Sequence, residues 1–382
     1  MSRRTFIGGV AAASAFAMTR RAFAAPKTPS LDVGIVGAGL AGLQCAYQLG
    51  QAGLSPTIYE AGTRVGGRQF SLRGMFPGQV AERGGELIDN LHKTMLGWVN
   101  TLGLTREDIT KVEGEVFYYF DGQKIPESTV VDEYRAFVAA MQADLRASSG
   151  APTATSFNAA DQALDRTNLA DYLTSRGCGR WAKKAIEAAY LAEYGRETTE
   201  QSCLNFLLFI HADKRSKFTP FGIFSDERFH VVEGNDKIAT GIAARIPRQP
   251  ELEMRLERVR KTSSGRIELT LRKGNQSIVR THDKVVLTVP FSVLRTIDLD
   301  ASLELPAWKT LAIQQLGYGD NAKQMIGFNG PHWAELGGTG AAKESLQWLA
   351  VPGAGLAIAG AVGTLLSIAR AGFGSARGPG RA

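Results

Sequence analysis

The sequence predicts an α/β fold, with a parallel sheet and helices at the start of the chain and a second region that mixes helices and strands. The first observation is a strand, turn, helix and strand pattern within residues 31–68. The second is that helical spacing dominates from Asn90 to about Thr219, whereas strand signals return after Phe221. A chain of 382 residues with 44% hydrophobic composition is long enough for two domains with buried cores.

The first strand is predicted over Leu31–Val36, a short apolar run that is bounded by glycine. The next six residues, Gly37-Ala38-Gly39-Leu40-Ala41-Gly42, fit the G-x-G-x-x-G pattern. Its three glycines allow, in turn, a tight turn, a close approach of the backbone to a pyrophosphate, and close packing of the helix on the strand. Helical spacing runs to Gly50, and a second strand, Pro56–Tyr59, ends at Glu60, which is placed to bind a ribose hydroxyl. An ordinary glycine-rich turn is the alternative, but the whole pattern favours a Rossmann-like dinucleotide-binding domain.

A second glycine loop follows the acidic residue. Arg64-Val65-Gly66-Gly67-Arg68 joins two glycines to two arginines, which predicts another anion-binding loop and favours FAD over NAD. Together with ERGGELID (Glu82–Asp89), the segment YEAGTRVGGR resembles the flavin-containing amine oxidase family, which includes monoamine, L-amino-acid and polyamine oxidases and tryptophan monooxygenases. The resemblance implies a GR2-type flavoprotein with a Rossmann-like FAD-binding domain and an α+β substrate domain. The residues that it places at FAD are Gly37, Ala38, Gly39, Leu40, Ala41, Gly42, Glu60, Ala61, Arg64, Gly67, Arg68, Gly84, Gly85 and Glu86.

Residues 1–24 are predicted to be a leader rather than part of the fold. Ser2-Arg3-Arg4-Thr5-Phe6-Ile7 resembles a twin-arginine export signal, and Ala22-Phe23-Ala24 forms an A-x-A cleavage site. A membrane anchor is the alternative, but the apolar segment of about twelve residues is shorter than the ~20 that a bilayer requires. We therefore expect recognition by the twin-arginine export machinery, which carries folded proteins with their cofactors, and a periplasmic location.

Charge and cysteine content limit the classes of partner. The formal net charge of +7 comes from the predicted leader and from residues 341–382, so that the body of the chain is close to neutral and no nucleic acid is expected. Cys45, Cys178 and Cys203 are too few and too irregular for a disulfide framework, and no metal site is predicted. The family's covalent attachment of FAD uses a cysteine near the C-terminus. Because no cysteine follows Cys203 in this sequence, the resemblance implies non-covalent FAD.

The resemblance also divides the chain into discontinuous domains. It implies an FAD-binding domain of residues 25–90 and 225–298, and a substrate domain of residues 91–224 and 299–340.

Strand and helix signals in the second half fit this division. Asp236–Ile246 is predicted to be a short amphipathic helix, and Leu252–Val259 with Arg266–Arg272 is predicted to be a hairpin. The β-branched run Lys284–Val289 is typical of a strand that is buried on both faces. By the resemblance, the backbone of Leu256 contacts the adenine side of FAD.

The lysine of LGYGDNAK, Lys323, stands at the start of an apolar strand. A buried ammonium ion costs several kcal/mol unless it is paired, so a lysine facing solvent from a strand edge is the alternative. The segment resembles the family segment whose lysine reaches the flavin N5 through a water. The resemblance therefore implies that Lys323 is catalytic and assists proton movement during flavin reduction or reoxidation.

The resemblance ends after about Gly340. The family continues with a third FAD segment, whereas residues 341–382 form a divergent tail rich in alanine and glycine. Leu349–Ala369 is uncharged and long enough to span a membrane, but Pro352 and several glycines oppose a spanning helix. A reading-frame change that replaced the native C-terminus is favoured, a genuine short variant is the other alternative, and membrane attachment through the tail is not expected.

The function implied by the resemblance is oxidative deamination. An FAD-dependent enzyme of this type converts a primary amine or an L-amino acid, with O2, to a carbonyl compound, ammonia and H2O2. One alternative is an amino-acid monooxygenase similar to tryptophan 2-monooxygenase, and another is an inactive truncated flavin-binding remnant or a membrane-tethered binding protein. Nothing in the sequence identifies the amine.

Overall fold

Both helices and strands form in the described part of the chain, which a computed structural model gives as residues 31–75, 77–111, 116–210, 212, 218–222, 225–320, 322–325 and 364–367. The strands are β1 (Val33–Val36), β2 (Thr57–Tyr59), β3 (Ser71–Arg73), β4 (Val80–Glu82), β5 (Arg106–Asp108), β6 (Phe117–Phe120), β7 (Gln123–Pro126), β8 (Phe229–Val231), β9 (Arg255–Lys261), β10 (Ile267–Lys273), β11 (Gln276–His282), β12 (Lys284–Leu287), β13 (Asp298–Leu299), β14 (Ala322–Met325) and β15 (Thr364–Ser367). The α-helices are α1 (Leu40–Gln51), α2 (Lys93–Thr101), α3 (Glu127–Ala147), α4 (Ala159–Arg166), α5 (Leu169–Ser175), α6 (Arg180–Tyr194), α7 (Cys203–Ile210), α8 (Asp236–Ala243), α9 (Phe291–Leu294) and α10 (Ala307–Gln315).

A parallel sheet carries the first motif. Strand β1 lies between β12 and β2 and is parallel to both, and α1 connects β1 to β2. All residues of β1 and β2 are buried, and a fully buried valine or isoleucine side chain stabilises a fold by about 1.5–3 kcal/mol. The predicted strand, helix and strand are therefore confirmed, with their ends within two residues of the expected positions.

Strand β12 occupies an edge of this sheet. Lys284 is exposed and the three residues that follow it are only half-buried. The expectation that this run is buried on both faces is confirmed only in part, because Val286 packs against one hydrophobic cluster and Val285 and Leu287 pack against another, but all three are half-buried. Among the described residues β12 pairs on one side only, with β1. A β-branched run indicates a strand but does not say whether the strand is central or lies at an edge.

An antiparallel sheet follows in the second half of the chain. Strands β9 and β10 form the predicted hairpin, and β11 adds a third strand that the sequence did not suggest. Strand β13 pairs with the other edge of β9 in the parallel direction. The predicted amphipathic helix is also present, as α8.

The part of the chain between β7 and β8 is mainly helical and contains α3 to α7. Helix α3 ends at Ala147 and α4 begins at Ala159, so a loop lies between them. Asn158 accepts a hydrogen bond from the backbone of Asp161, whose side chain bonds back to Asn158, and this reciprocal cap fixes the start of α4. A hydrophobic cluster within residues 125–221 joins helices α3 to α7.

The predicted division into two domains stays a prediction. The proposed leader lies outside the described residues, and so does the tail apart from β15. Strand β15 pairs in parallel with β14, which contains Lys323. No helix within the described ranges is both long and apolar enough to cross a bilayer.

Candidate functional site

The first glycine loop joins β1 to α1 in a tight turn. Gly37 has φ of 104°, which favours glycine, and a Cβ atom on Gly42 would lie 1.9 Å from the carbonyl oxygen of Gly37. Gly39 precedes α1 without a side-chain cap, and apart from its chain neighbours no atom lies within 4 Å of the position that its Cβ would take. The first amides of α1 are therefore accessible to an anion from the side of Gly39.

The second glycine loop lies against the first. The Gly66 amide donates to the carbonyl oxygen of Ala38 at 2.9 Å, and Gly66 and Gly39 form a parallel bridge. A Cβ atom on Gly67 would lie 3.2 Å from the Cα atom of Gly39, so this contact requires glycine or a shift of the loop. The structure thus brings together the two loops that the sequence marked separately.

The two arginines of the second loop have different surroundings. The guanidinium of Arg64 donates to the carbonyl oxygens of Val65, Gly67 and Gln69 at 2.7–3.0 Å, which closes the loop on itself. Arg68 is exposed, and its side chain has no hydrogen-bond or ion-pair partner among the described residues. Arg68 is therefore the arginine available to a phosphate, whereas contact between Arg64 and the cofactor stays a prediction.

Glu60 is fixed beside the first loop. Its two carboxylate oxygens accept hydrogen bonds from the amides of Ala38 and Gly62 at 2.8 and 2.7 Å. Each oxygen retains a lone pair, so that the carboxylate can also accept from a ribose hydroxyl. Ala61, the next predicted residue, is exposed beside it.

The strand that carries Leu256 begins close to this acid. The amide of Met254 donates to the carbonyl oxygen of Glu60 at 2.8 Å. Leu256 follows two residues later in β9 and is buried. Its backbone contact with the adenine remains a prediction.

The ERGGELID segment lies against the second loop. The Gly85 amide donates to the carbonyl oxygen of Arg68 at 3.0 Å, and a Cβ atom on Gly84 would lie 1.9 Å from that oxygen. Around Gly85 itself, no atom lies within 4 Å of a Cβ position. Asn235 anchors this segment, because its side-chain amide donates to the carbonyl oxygens of Gly85 and Glu86 at 3.1 and 2.6 Å.

A buried carboxylate joins the same segments. Glu82 accepts hydrogen bonds from the hydroxyl of Ser71 at 2.8 Å and from the amide of Asn235 at 2.7 Å. Burial raises the pKa of Glu82, although the two hydrogen bonds act in the opposite direction. Asp236 forms an ion pair with Arg73 at 2.6 Å, which ties the start of α8 to β3.

These supporting residues were not identified from the sequence. Asn235 directly precedes the predicted helix Asp236–Ile246, and Ser71 and Glu82 lie in the short strands β3 and β4. The one sequence feature near them is Gly234, directly before Asn235. Its φ of 102° and its close contact with Ser71 require glycine. The hydrogen bonds that Asn235 and Asp236 make with residues 71–86 span 149–165 positions, so they depend on the fold and leave no local pattern.

The residues present fit an anionic dinucleotide such as FAD. Gly39 and Gly85 offer open backbone surfaces, and Arg68 offers an unused positive charge. The side-chain oxygen of Gln69, directly after Arg68, is buried without a hydrogen-bond partner among the described residues. Such an atom is costly unless a ligand or water satisfies it.

Lys323 is placed only by its backbone, within β14. Its side chain lies outside the described residues, so its proposed approach to the flavin stays a prediction.

The sequence has relatives among known enzymes. The sequence model of the family described as flavin containing amine oxidoreductase matches residues 40–357. The nicotine dehydrogenase of Pseudomonas putida is 25% identical over 337 residues, which cover 83% of this chain and 68% of the relative. An L-amino-acid oxidase of Siganus canaliculatus is 25% identical over 321 residues, which cover 81% of this chain and 59% of the relative.

The fold also has a solved counterpart. Wild-type putrescine oxidase bound to putrescine aligns with a TM-score of 0.64 at 22% identity, covering 80% of this chain and 68% of that chain. At this identity the likeness establishes the fold, and the predicted α/β flavoprotein fold is confirmed. The chain spans 59% to 68% of the length of these three proteins.

Proposed function

Because this chain belongs to the flavin-containing amine oxidoreductase family, we propose that it binds FAD without a covalent bond and oxidises a small-molecule amine. The observation that carries the proposal is the meeting of two glycine loops at the uncapped start of α1, with the carboxylate of Glu60 fixed beside them. When bound, FAD supplies the acceptor for the two electrons that leave the amine carbon.

Different residues around the loops bind different parts of the cofactor. The first amides of α1 and the guanidinium of Arg68 neutralise the pyrophosphate, while Glu60 accepts from the adenosine ribose. Gly39, Gly67 and Gly85 let the backbone approach the ligand closely. Lys323 holds or moves a proton beside the reacting ring.

The reaction that we propose is the oxidative deamination of a primary amine or an L-amino acid, with O2 as the second substrate. Relatives named for L-amino-acid oxidase and putrescine oxidase activity support this class. A second candidate is amine dehydrogenation with an acceptor other than O2, which the match to nicotine dehydrogenase favours. An amino-acid monooxygenase and an inactive flavin-binding remnant complete the set of alternatives.

The first experiment is the visible absorption spectrum of the purified chain. We expect the two bands of oxidised flavin at about one FAD per chain, and release of all of the pigment by acid because the attachment is non-covalent. Pigment that stays with the precipitated protein would contradict non-covalent binding. A colourless protein that also fails to bind added FAD would reject the enzymatic proposal.

A panel of amines and amino acids then separates the reactions. Release of H2O2 with ammonia indicates an oxidase, whereas turnover only with an artificial electron acceptor indicates a dehydrogenase. An amide product without peroxide indicates a monooxygenase. Bound FAD that no amine reduces indicates the inactive remnant.

The role of Lys323 is tested with Lys323→Met. The substitution removes the ammonium group while retaining a long side chain, and we expect it to slow flavin reduction or reoxidation about 10²-fold or more. Stopped-flow absorbance measures both steps, and wild-type rates for both would remove Lys323 from the mechanism.

For the location of the protein, we propose the periplasm, reached through the twin-arginine route. The support is the Ser2–Ile7 segment and the A-x-A site that follows it. Cell fractionation of the wild type and of an Arg3→Lys, Arg4→Lys variant tests the route. Equal amounts of both proteins in the periplasm would contradict it.

A further inference from the structure

The segment Leu316–Asp320, which leads towards β14, packs against the C-terminal end of α6. The amide of Asp320 donates to the carbonyl oxygen of Gly195 at 3.2 Å. Gly195 ends α6 in the left-handed conformation, with φ of 61°. The contact is therefore made by backbone atoms of both segments.

Gly319 is the point of closest approach in this contact. A Cβ atom on Gly319 would lie 1.9 Å from the carbonyl oxygen of Tyr194, 2.8 Å from its carbonyl carbon and 3.0 Å from the Cα atom of Gly195. All three are backbone atoms, so no side-chain rotation can make room. Any residue larger than glycine must separate the segment from α6 by about 1 Å to reach the 3.0 Å limit of real contacts.

Gly317, two residues earlier, does not have this constraint. The nearest atom to its Cβ position is a guanidinium nitrogen of Arg196 at 3.7 Å, an ordinary van der Waals distance. A methyl group on Gly317 therefore fits without movement. Gly317 provides a matched control on the same short segment.

The opposite side of the segment is fixed to elements that follow the parallel sheet. The hydroxyl of Tyr318 accepts a hydrogen bond from the amide of Phe291, at the start of α9, at 2.8 Å. Arg295, directly after α9, donates to the carbonyl oxygens of Ile313 and Leu316. The segment thus connects the end of α6 on one side with α9 on the other.

We infer that Gly319 is a positioning residue, whose contact with Tyr194 and Gly195 sets where β14 begins and so where Lys323 lies. The inference rests on the proposed role of Lys323. Only four steps of chain separate the two residues, and four steps of fully extended chain reach at most about 14 Å, so the position of Gly319 limits where the strand can begin. A displacement of ~1 Å at a reacting group can reduce a rate by ~10²-fold.

The experiment compares Gly319→Ala, Gly317→Ala, Lys323→Met and the double variant of Gly319→Ala with Lys323→Met. We expect Gly319→Ala to slow, by about 10–100-fold, the same half-reaction that Lys323→Met slows, whereas Gly317→Ala matches the wild type. In the double variant, Gly319→Ala should have no further effect, because residues that act through one group are not additive. The pH profile of that half-reaction should change in Gly319→Ala as it does in Lys323→Met.

A second readout does not depend on turnover. The acetylation rate of Lys323 in FAD-free protein, followed by mass spectrometry with the other lysines as internal references, reports its surroundings directly. We expect a changed rate in Gly319→Ala and an unchanged rate in Gly317→Ala. Equal rates in the two variants would overturn the inference.

The outcomes separate this inference from the proposed function. If Lys323→Met slows flavin chemistry while Gly319→Ala behaves as Gly317→Ala does, the positioning role is wrong and the proposed function stands. If Lys323→Met leaves both half-reactions of an active enzyme unchanged, the proposed role of Lys323 is wrong, and the positioning role of Gly319 that rests on it is wrong as well. If the chain takes up no FAD, the proposed function fails and the acetylation rates decide the placement alone.

Tyr318→Phe serves if Gly319→Ala does not fold. It removes the hydroxyl that accepts from Phe291 and introduces no steric conflict. We expect a smaller slowing of the same half-reaction, absent in the Lys323→Met background. Wild-type kinetics for a folded Tyr318→Phe, together with an unchanged acetylation rate of Lys323, would show that this segment does not position the lysine and would overturn the inference.

Discussion

Arg64 and Arg68 belong to one short loop but have different partners. Arg64 uses its guanidinium to bind three carbonyl oxygens of its own loop and lies 4.1 Å over the ring of Phe70. Arg68 has no side-chain partner among the described residues. One arginine thus shapes the loop, while the other remains available to a ligand.

This difference predicts opposite effects of two substitutions. Arg68→Ala should weaken FAD binding by about 1.5–3 kcal/mol, or roughly 10–100-fold in Kd, with little change in the stability of the FAD-free protein. Arg64→Ala should lower the free energy of unfolding of the FAD-free protein by about 0.5–1.5 kcal/mol, because the loop loses three hydrogen bonds but water can reach the exposed carbonyl oxygens. FAD titration and urea unfolding measure the two effects, and identical behaviour of the variants would contradict this division.

The buried Glu82 predicts a pH dependence of stability. Burial raises the pKa of Glu82, so the folded protein holds this proton more tightly than the unfolded chain does. Its contribution to stability is therefore complete below the ordinary carboxyl pKa of about 4.3 and is lost as pH rises through the raised value. Glu82→Gln should remove this part of the fall in unfolding free energy with rising pH, as measured by urea unfolding at several pH values.

A control for Glu82 is Glu197→Gln. Glu197 is exposed, and the variant should keep the pH dependence of the wild type. A Glu82→Gln protein with the same slope as this control would show that Glu82 does not contribute to it.

At the residue scale, the sequence indicated the glycines and Glu60 because their spacing follows from the geometry of one turn. It assigned the same task to Arg64 and Arg68, because a pentapeptide does not show which carbonyl oxygens its loop conformation brings within reach. Asn235 and Ser71 carry no local sequence signature, because a carbonyl oxygen that Asn235 binds lies 150 positions away and the amide that donates to Ser71 lies 165 positions away.

At the scale of elements, Asn235 joins β8, α8 and the ERGGELID segment. Its side chain accepts from the amide of Val231 at 3.0 Å and donates to the carbonyl oxygens of Gly85 and Glu86. Asn235 is 1% exposed, so water cannot replace these bonds. The position of the Gly84–Gly85 backbone therefore depends on a residue outside the cofactor loops.

Asn235→Ala should reduce both stability and FAD affinity. Each buried group that loses its partner costs about 1–3 kcal/mol, and the released loop no longer holds its binding geometry. Urea unfolding and FAD titration measure the two losses. Asn100→Ala, on the exposed face of α2, is the control, and equal affinities of the two variants would argue against a role for Asn235 at the cofactor.

The elements that the sequence predicted best are those with a local signature. The hairpin of β9 and β10 has apolar alternation and a turn at Ser263-Ser264-Gly265, whereas β11 is rich in polar residues and was missed. The run in β12 indicated a strand correctly, but its half-buried position at a sheet edge depends on its neighbours.

At the scale of the whole molecule, separate hydrophobic clusters underlie the helical region and the parallel sheet. One contains only residues of the 125–221 region, and another joins β1 and α1 with α2 and α8. The sequence indicated these regions by the change from strand to helical spacing, but the clusters appear only when distant segments meet.

Bound FAD should therefore slow hydrogen exchange more in the parallel-sheet region than in the helical region. At a concentration of 100 times its Kd, a ligand that binds only the folded state stabilises it by about 2.7 kcal/mol. We expect hydrogen exchange to slow most in β1, α1 and β2, and least in helices α3 to α7. Uniform protection across the chain would contradict a cofactor site centred on the two glycine loops.

The central place of β1 has a consequence for synthesis on the ribosome. Ile35 pairs with Ile58, which follows within seconds, and with Val286, about 250 residues later, which takes on the order of 10–50 s at ~5–20 residues per second. During that interval the nascent chain exposes an apolar strand edge, the kind of surface that aggregates or recruits chaperones. Completion of this sheet is thus a late event of translation, although its first strand is among the earliest segments to be made.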